Sequence, residues 1–273
     1  MRLIIRHTTR YSFENPVTYG LQQLRKTPKS SHGQEVIRWE TSVQGGKKEL
    51  SYHDHMNNLV ELLSFERDTR ELTVSCEGEV EIAENHGVVG PHTGPSPLWL
   101  FETVTPLTKA GPGVRALVKK VEGETELERL HALSRLVGEA VRYEIGASHT
   151  EWSAEEALAE GKGVCQDHAH VFIACAREMG YPARYVSGYL MMDDRTLQDA
   201  THAWAEAHVP GLGWVGFDVS NEICPDQRYV RVATGLDYRQ AAPVTGTRYG
   251  GAGETLSVEI EVSQQQVQQQ EQQ

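Results

Sequence analysis

Cys165, His202 and Asp218 have the side-chain types of a thiol nucleophile, a base to take its proton and an acceptor to fix the base's tautomer and ring orientation. Cys165 stands in Gly163-Val164-Cys165-Gln166-Asp167-His168-Ala169-His170, directly before the apolar run Val171-Phe172-Ile173-Ala174-Cys175-Ala176. This placement puts the thiol in the first turn of a buried helix, where the positive end of the macrodipole favours the reactive thiolate. Gly163 would let a substrate backbone come close. His202 opens the strand-like run to Val209, and Asp218 closes another that starts at Gly213. With Pro210-Gly211-Leu212 as a three-residue hairpin loop, Val209 faces Gly213. In that register Asp218 is the diagonal neighbour of His202 on one sheet face, within side-chain reach.

The elements that must hold these residues are legible around them. Ala169, Phe172, Ile173, Ala176 and Met179 recur at helical spacing until Gly180 and Pro182 stop the helix. Ala183 to Leu190 reads as a strand beside the hairpin. Leu127, Leu130, Leu133, Leu136, Val137, Ala140 and Val141 mark an amphipathic helix, and Ser153-Ala154-Glu155-Glu156 is a capping box opening a short one that ends near Gly161. Earlier in the chain the period is two. Leu3 to Phe13, Val36 to Val43 and Glu71 to Ile82 alternate as strands, with turn signals at Glu14-Asn15-Pro16, Gly45-Gly46 and Asn57-Asn58. Short strands with frequent turns predict an antiparallel sandwich, hence an α+β protein. Residues 83–97, dense in glycine and proline, read as a linker after a first domain at 1–82.

Composition narrows the function. A net charge of −12 without a long Lys/Arg cluster argues against nucleic acid, which would be repelled over most of the surface. No run of about eighteen apolar residues occurs, and the start lacks a signal-peptide core, so no membrane contact and a cytoplasmic location are expected. Cys76, Cys165, Cys175 and Cys224 are irregularly spaced, unlike a disulfide framework or a Cys-x-x-Cys metal site. His53-Asp54-His55 supplies two ligands on one strand face and no third, so no metal is assigned.

Three blocks, Gly163 to Asp167, His202 to Glu206 and Gly213 to Asp218, resemble those of the bacterial transglutaminase-like superfamily, which has a papain-like cysteine-protease core. His7-Thr8-Thr9-Arg10-Tyr11 and the turn from Asp54 to Asn58 look like the β-sandwich that precedes this core in many members, and Tyr229 to Val244 looks like their C-terminal extension. The resemblance implies a cysteine-hydrolase core over 98–262, with Cys165 as nucleophile, His202 as base and Asp218 as orienting acid. It implies acyl transfer on a peptide or amide substrate through a thioester, with no metal or organic cofactor. Peptidase or amidase activity is expected ahead of crosslinking to an amine acceptor; the rival reading is a non-catalytic scaffold or protein-binding module.

Papain-like enzymes carry an oxyanion-binding glutamine six residues before the cysteine, and here that residue is Ala159. The Cys165 backbone N–H is one natural donor; His149, Trp152 or Gln166 could supply a second, and Trp204 belongs to the expected site wall. His168 and His170 point away from each other on the helix and read as polar contacts of that wall rather than as bases. The glutamine-rich residues 263–273 are expected to be disordered. Substrate identity and oligomeric state leave no signal in the sequence.

Overall fold

In the computed structural model, which describes residues 1–265, the N-terminal alternation forms one 23-residue strand, Arg2–Leu24. Leu3, Ile5, Tyr11, Phe13, Val17 and Leu24 are buried along it. Its first half pairs antiparallel with Thr69–Ile82 and Glu254–Gln264, and its second half with Leu59–Phe65 and Val244–Gly250. Gln34–Gln44 and Gly46–His53 extend the two halves outward. The expected sandwich is thus one eight-stranded antiparallel sheet curled over a core that includes Tyr11, Phe13, Leu63, Leu72 and Val74.

Two expectations change here. Glu14-Asn15-Pro16 is not a turn: the register shifts between Ser12 and Val17, so the strand bends there without ending, and Pro16, which has no N–H to give, sits where the ladder is interrupted. Nor do the domain limits of 1–82 and 98–262 follow the chain. Val244–Gly250 and Glu254–Gln264, assigned to the second domain, return to cover the open ladder groups of Arg2–Leu24. The 83–97 segment is no free linker either. Its Val88–Gly90 joins the second sheet beside Gly213–Phe217, and the buried Ser96 donates to the His55 carbonyl at 2.5 Å. Of the expected tail, Ser263 and Gln264 lie in the last strand, and residues 266–273 fall outside the described part.

The second sheet has the order Tyr229–Gly235, Ala183–Leu190, His202–Val209, Gly213–Phe217, Val88–Gly90, antiparallel throughout. Val209 faces Gly213 across the three-residue loop, as the sequence predicts. Cys165–Glu178 is the central helix, buried at every position from Gln166 to Arg177, and Met179 with Gly180 in the left-handed region ends it. Phe172 stacks on Phe217 at 4.9 Å, which fixes this helix against the hairpin. Glu126–Ala140 and Ala154–Glu160 carry the capping boxes of Thr125 with Glu128 and Ser153 with Glu156, and pack on the central helix. Among the described residues no helix is long and apolar enough to cross a membrane.

Candidate active site

Three elements bring Cys165, His202 and Asp218 to one place. Cys165 is the first residue of the central helix, half-buried, and opens on a cleft of about 380 Å³ that His202 also lines. The start of that helix is shaped by Asp167, whose Oδ2 accepts the Val164 N–H at 2.7 Å. Gly163 serves this contact rather than substrate access: a Cβ there would lie 2.7 Å from Asp167 Cβ and Oδ2.

His202 is 8% exposed at the strand end, and its Nε2 meets Asp218 Oδ2 at 2.6 Å from the neighbouring strand. Nδ1 is left for the side of Cys165. Burial opposes charge on this ring, but hydrogen bonds to Asp218 and Cys165 and their negative charge outweigh it and raise the His202 pKa to about 10. Asp218 is fully buried, which alone would raise its pKa. Hydrogen bonds from His202, Asn221 Nδ2 (2.7 Å) and Tyr229 Oη (2.7 Å) hold the carboxyl below its usual range instead. The backbone N–H groups of Ser220 and Asn221 occupy the other oxygen, Oδ1. His202 is thereby held on a carboxylate that has no freedom to turn and that favours the charged ring.

The remaining expected site residues separate. Trp204 is buried and stacks on His202 at 6.2 Å, backing the ring without lining the cleft. Gln166 does line the cleft, but its Nε2 donates to the Thr150 carbonyl at 2.9 Å. His149 and Trp152 pack on each other outside the cleft, joined also by the Trp152 N–H to the His149 carbonyl. The two helix histidines lie behind the site rather than in its wall. His168 bridges Ser220 Oγ (2.8 Å) and the Val141 carbonyl (2.7 Å), and His170 Nε2 accepts the Tyr238 N–H. Burial lowers the pKa of both, His170 to about 3, so they stay neutral. Asp54, from the His-Asp-His run, closes its own turn by accepting the N–H groups of Met56 and Asn58. No group of three or more His, Cys, Asp or Glu among the described residues is placed to hold a metal ion.

Sequence reasoning missed Tyr229 and Tyr185 as parts of the candidate site, and Asn221, which the sequence offers only as a rival to Asp218, acts beside it. Asn221 and Tyr229 grip Asp218 from a loop and from a third strand, with no spacing signal to link them to it. Tyr185 lines the cleft, and among the described residues no protein hydrogen bond occupies its hydroxyl. Burial, then the nearby Cys165, push its pKa well above the usual value, so the phenol remains a donor. Strand alternation held the signal: Tyr185 and Ser187, two apart, share the face that meets the central helix.

Residues 3–81 match the bacterial transglutaminase-like N-terminal region, and residues 115–219 match the transglutaminase-like superfamily. An uncharacterized protein of Mycobacterium leprae is 30% identical over 277 residues, covering 96% of this chain and 98% of its own. An uncharacterized protein of Mycobacterium tuberculosis is 27% identical over 291 residues, covering 96% and 92%. The fold is shared with a crystal structure from Cytophaga hutchinsonii described as a candidate cysteine protease, at a TM-score of 0.78 and 19% identity over 98% of this chain and 92% of that one.

Proposed function

Because the chain belongs to the transglutaminase-like superfamily, with the bacterial N-terminal region ahead of its core, we propose that it is a cysteine hydrolase that cleaves amide bonds through Cys165, His202 and Asp218. The observation that carries this reading is the 2.6 Å contact of His202 with a buried, immobilised Asp218 beside a half-buried cysteine on the same cleft. The Cys165 sulfur attacks the amide carbonyl, and the C–O double bond opens to an oxyanion. The backbone N–H of Cys165, which at the first helical position has no intrahelical acceptor, and the Tyr185 hydroxyl donate to that oxygen. As the C–N bond breaks, the leaving amine takes the proton from His202 Nδ1, leaving a thioester on Cys165. Water entering from the open cleft gives a proton back to His202 and adds to the thioester, whose collapse releases the acid and the Cys165 thiolate beside the charged ring. Asp218 holds Nε2 throughout and favours the charged ring.

Alkylation by iodoacetamide, read by mass spectrometry residue by residue, tests the assignment. Cys165 should react far faster than Cys76, Cys175 and Cys224 and should slow in a His202→Ala protein. Equal reactivity of all four thiols, or no effect of His202→Ala, would leave a non-catalytic scaffold as the better reading.

A further inference from the structure

A second cavity, of about 310 Å³, lies on the face of the second sheet away from the cysteine cleft, at the seam with the curled sheet. Arg184 alternates with Tyr185 along its strand, so the two side chains serve opposite faces. Lys29 comes from the curled sheet's side, and Arg184 and Arg231 come from the second sheet; all three line the cavity. No Asp or Glu among the described residues lines it, in a chain whose net charge is −12. One adjoining carboxylate, Glu206, is fully buried and already shared: it accepts Arg184 Nε at 2.6 Å, Arg231 Nε at 2.6 Å and Arg231 Nη2 at 3.1 Å. Asp54, the other acid nearby, pairs with Arg25 at 3.4 Å.

Three basic side chains against one carboxylate leave between about one and two positive charges uncompensated near neutral pH, and burial makes that costly. Arg184 is 8% exposed and lies 3.9 Å above the Trp214 ring, and among the described residues its terminal nitrogens have no hydrogen-bond acceptor. Lys29 Nζ donates to the carbonyls of Asn57 (2.9 Å) and Met56 (3.3 Å), which bring dipoles but no charge. Its pKa falls to about 7, through burial and then through Arg231 and Arg184. His92 is engaged on both ring nitrogens: Nδ1 accepts the Trp214 N–H and Nε2 meets the Ser96 carbonyl.

We propose that this cavity binds a phosphate group, gripped by the free guanidinium nitrogens of Arg184 and Arg231 and by the Lys29 ammonium. A phosphate at neutral pH carries between one and two negative charges and offers the planar arginine forks several oxygens. The volume exceeds one phosphate, and Phe101 and Trp214 give the remaining space an aromatic wall fit for a small organic body. The occupant would tie the curled sheet to the second sheet and so add to the stability of the whole chain.

The test is titration of the full-length protein with inorganic phosphate at constant ionic strength, followed by ³¹P line broadening and by melting temperature. Saturable broadening and a rise in melting temperature are expected, with no such rise on adding chloride. Lys29→Met should weaken the apparent affinity at least tenfold. Thr93→Glu, an exposed cavity-lining change that brings a competing carboxylate, should weaken it too even if Lys29→Met folds poorly, while Cys165→Ala should leave it unchanged. Tighter binding of phenyl phosphate would identify a phosphorylated organic ligand, and equal binding free phosphate. Absence of saturable binding, or binding untouched by Thr93→Glu, or binding lost in Cys165→Ala, would overturn the site.

Discussion

The Tyr229 hydroxyl donates to the same Asp218 oxygen, Oδ2, that meets His202 Nε2, at 2.7 and 2.6 Å respectively. A third strand thereby fixes the angle at which the carboxylate presents itself to the imidazole. Tyr229→Phe keeps the ring that packs on Trp204 at 5.4 Å and removes only this hydrogen bond. A bond to a charged acceptor is worth about 1.5–3 kcal/mol, so kcat/KM on an amide substrate should fall roughly tenfold or more, with a smaller change in melting temperature. Unchanged kinetics would show that Asn221 alone suffices to hold Asp218.

The histidines set opposite limits to stability on the pH axis. His7 is held at about 2 by burial and by Lys26, and His170 at about 3 by burial, against an ordinary value of 6.5. Their depressed folded values mean that stability is complete above 6.5 and is lost as pH falls towards 3. Each should contribute a slope of about 1.4 kcal/mol per pH unit between the two limits. His202, raised to about 10, works the other way: its contribution is complete below 6.5 and is lost as pH rises towards 10. Urea midpoints should therefore drop on both sides of neutrality. Between pH 6 and 5, before carboxylates titrate, the slope should be shallower in His7→Gln; an unaltered slope would mean that His7 is not kept neutral.

Legibility followed the range of the interactions. The central helix, the Ser153 capping box and the hairpin register depend on residues close in sequence, and each was read from spacing alone. Asp218 was reachable because the hairpin register carries it to His202. What local spacing does not encode is partnership across the chain. The return of Glu254–Gln264 to pair with Arg2–Leu24 joins strands more than two hundred residues apart, and both runs read only as generic alternation. The hold of Tyr229 and Asn221 on Asp218 was hidden for the same reason, since a third strand and a loop bring them to it. Gly163 was noticed and given the wrong neighbour, because the folding-back of Asp167 over it appears only in three dimensions.

That neighbour makes Gly163 testable. In Gly163→Ala the new Cβ would press on Asp167 Cβ and Oδ2 at 2.7 Å, loosening the carboxylate from the Val164 N–H and shifting the turn that carries Cys165. Activity should fall by at least tenfold, because small misplacements of a nucleophile weigh heavily on rate. The melting temperature should fall as well. Asp167→Asn, which keeps the shape, should retain more activity, and the reverse order would refute the packing argument.

Cys175 lies on the same helix as Cys165, fully buried, its thiol pushed up to about 12 by burial and then by Glu155 and Glu178. It should resist alkylation in the folded protein. Cys175→Ala should cost about 1 kcal/mol of stability through the small cavity it leaves, with turnover unchanged. Lost turnover at an unchanged melting temperature would place Cys175 in the chemistry.

Tyr185 gives the sharpest test of the proposed reaction. Ala159 removes the glutamine side chain that would otherwise hold the oxyanion, Gln166 spends its amide on Thr150, and His149 and Trp152 stand outside the cleft. The Tyr185 hydroxyl is a buried side-chain donor on this cleft with no protein hydrogen bond among the described residues, and its high pKa keeps the proton in place. Tyr185→Phe leaves the packing against Tyr238 and His170 and deletes one donor. Since an oxyanion donor acts on the transition state and hardly on bound substrate, kcat should fall by about 10²-fold or more with KM nearly constant. Alkylation of Cys165, which forms no oxyanion, should keep its wild-type rate. A rise in KM with kcat unchanged would make Tyr185 part of the substrate-binding wall instead, and a parallel loss of alkylation would mean that it positions the thiol.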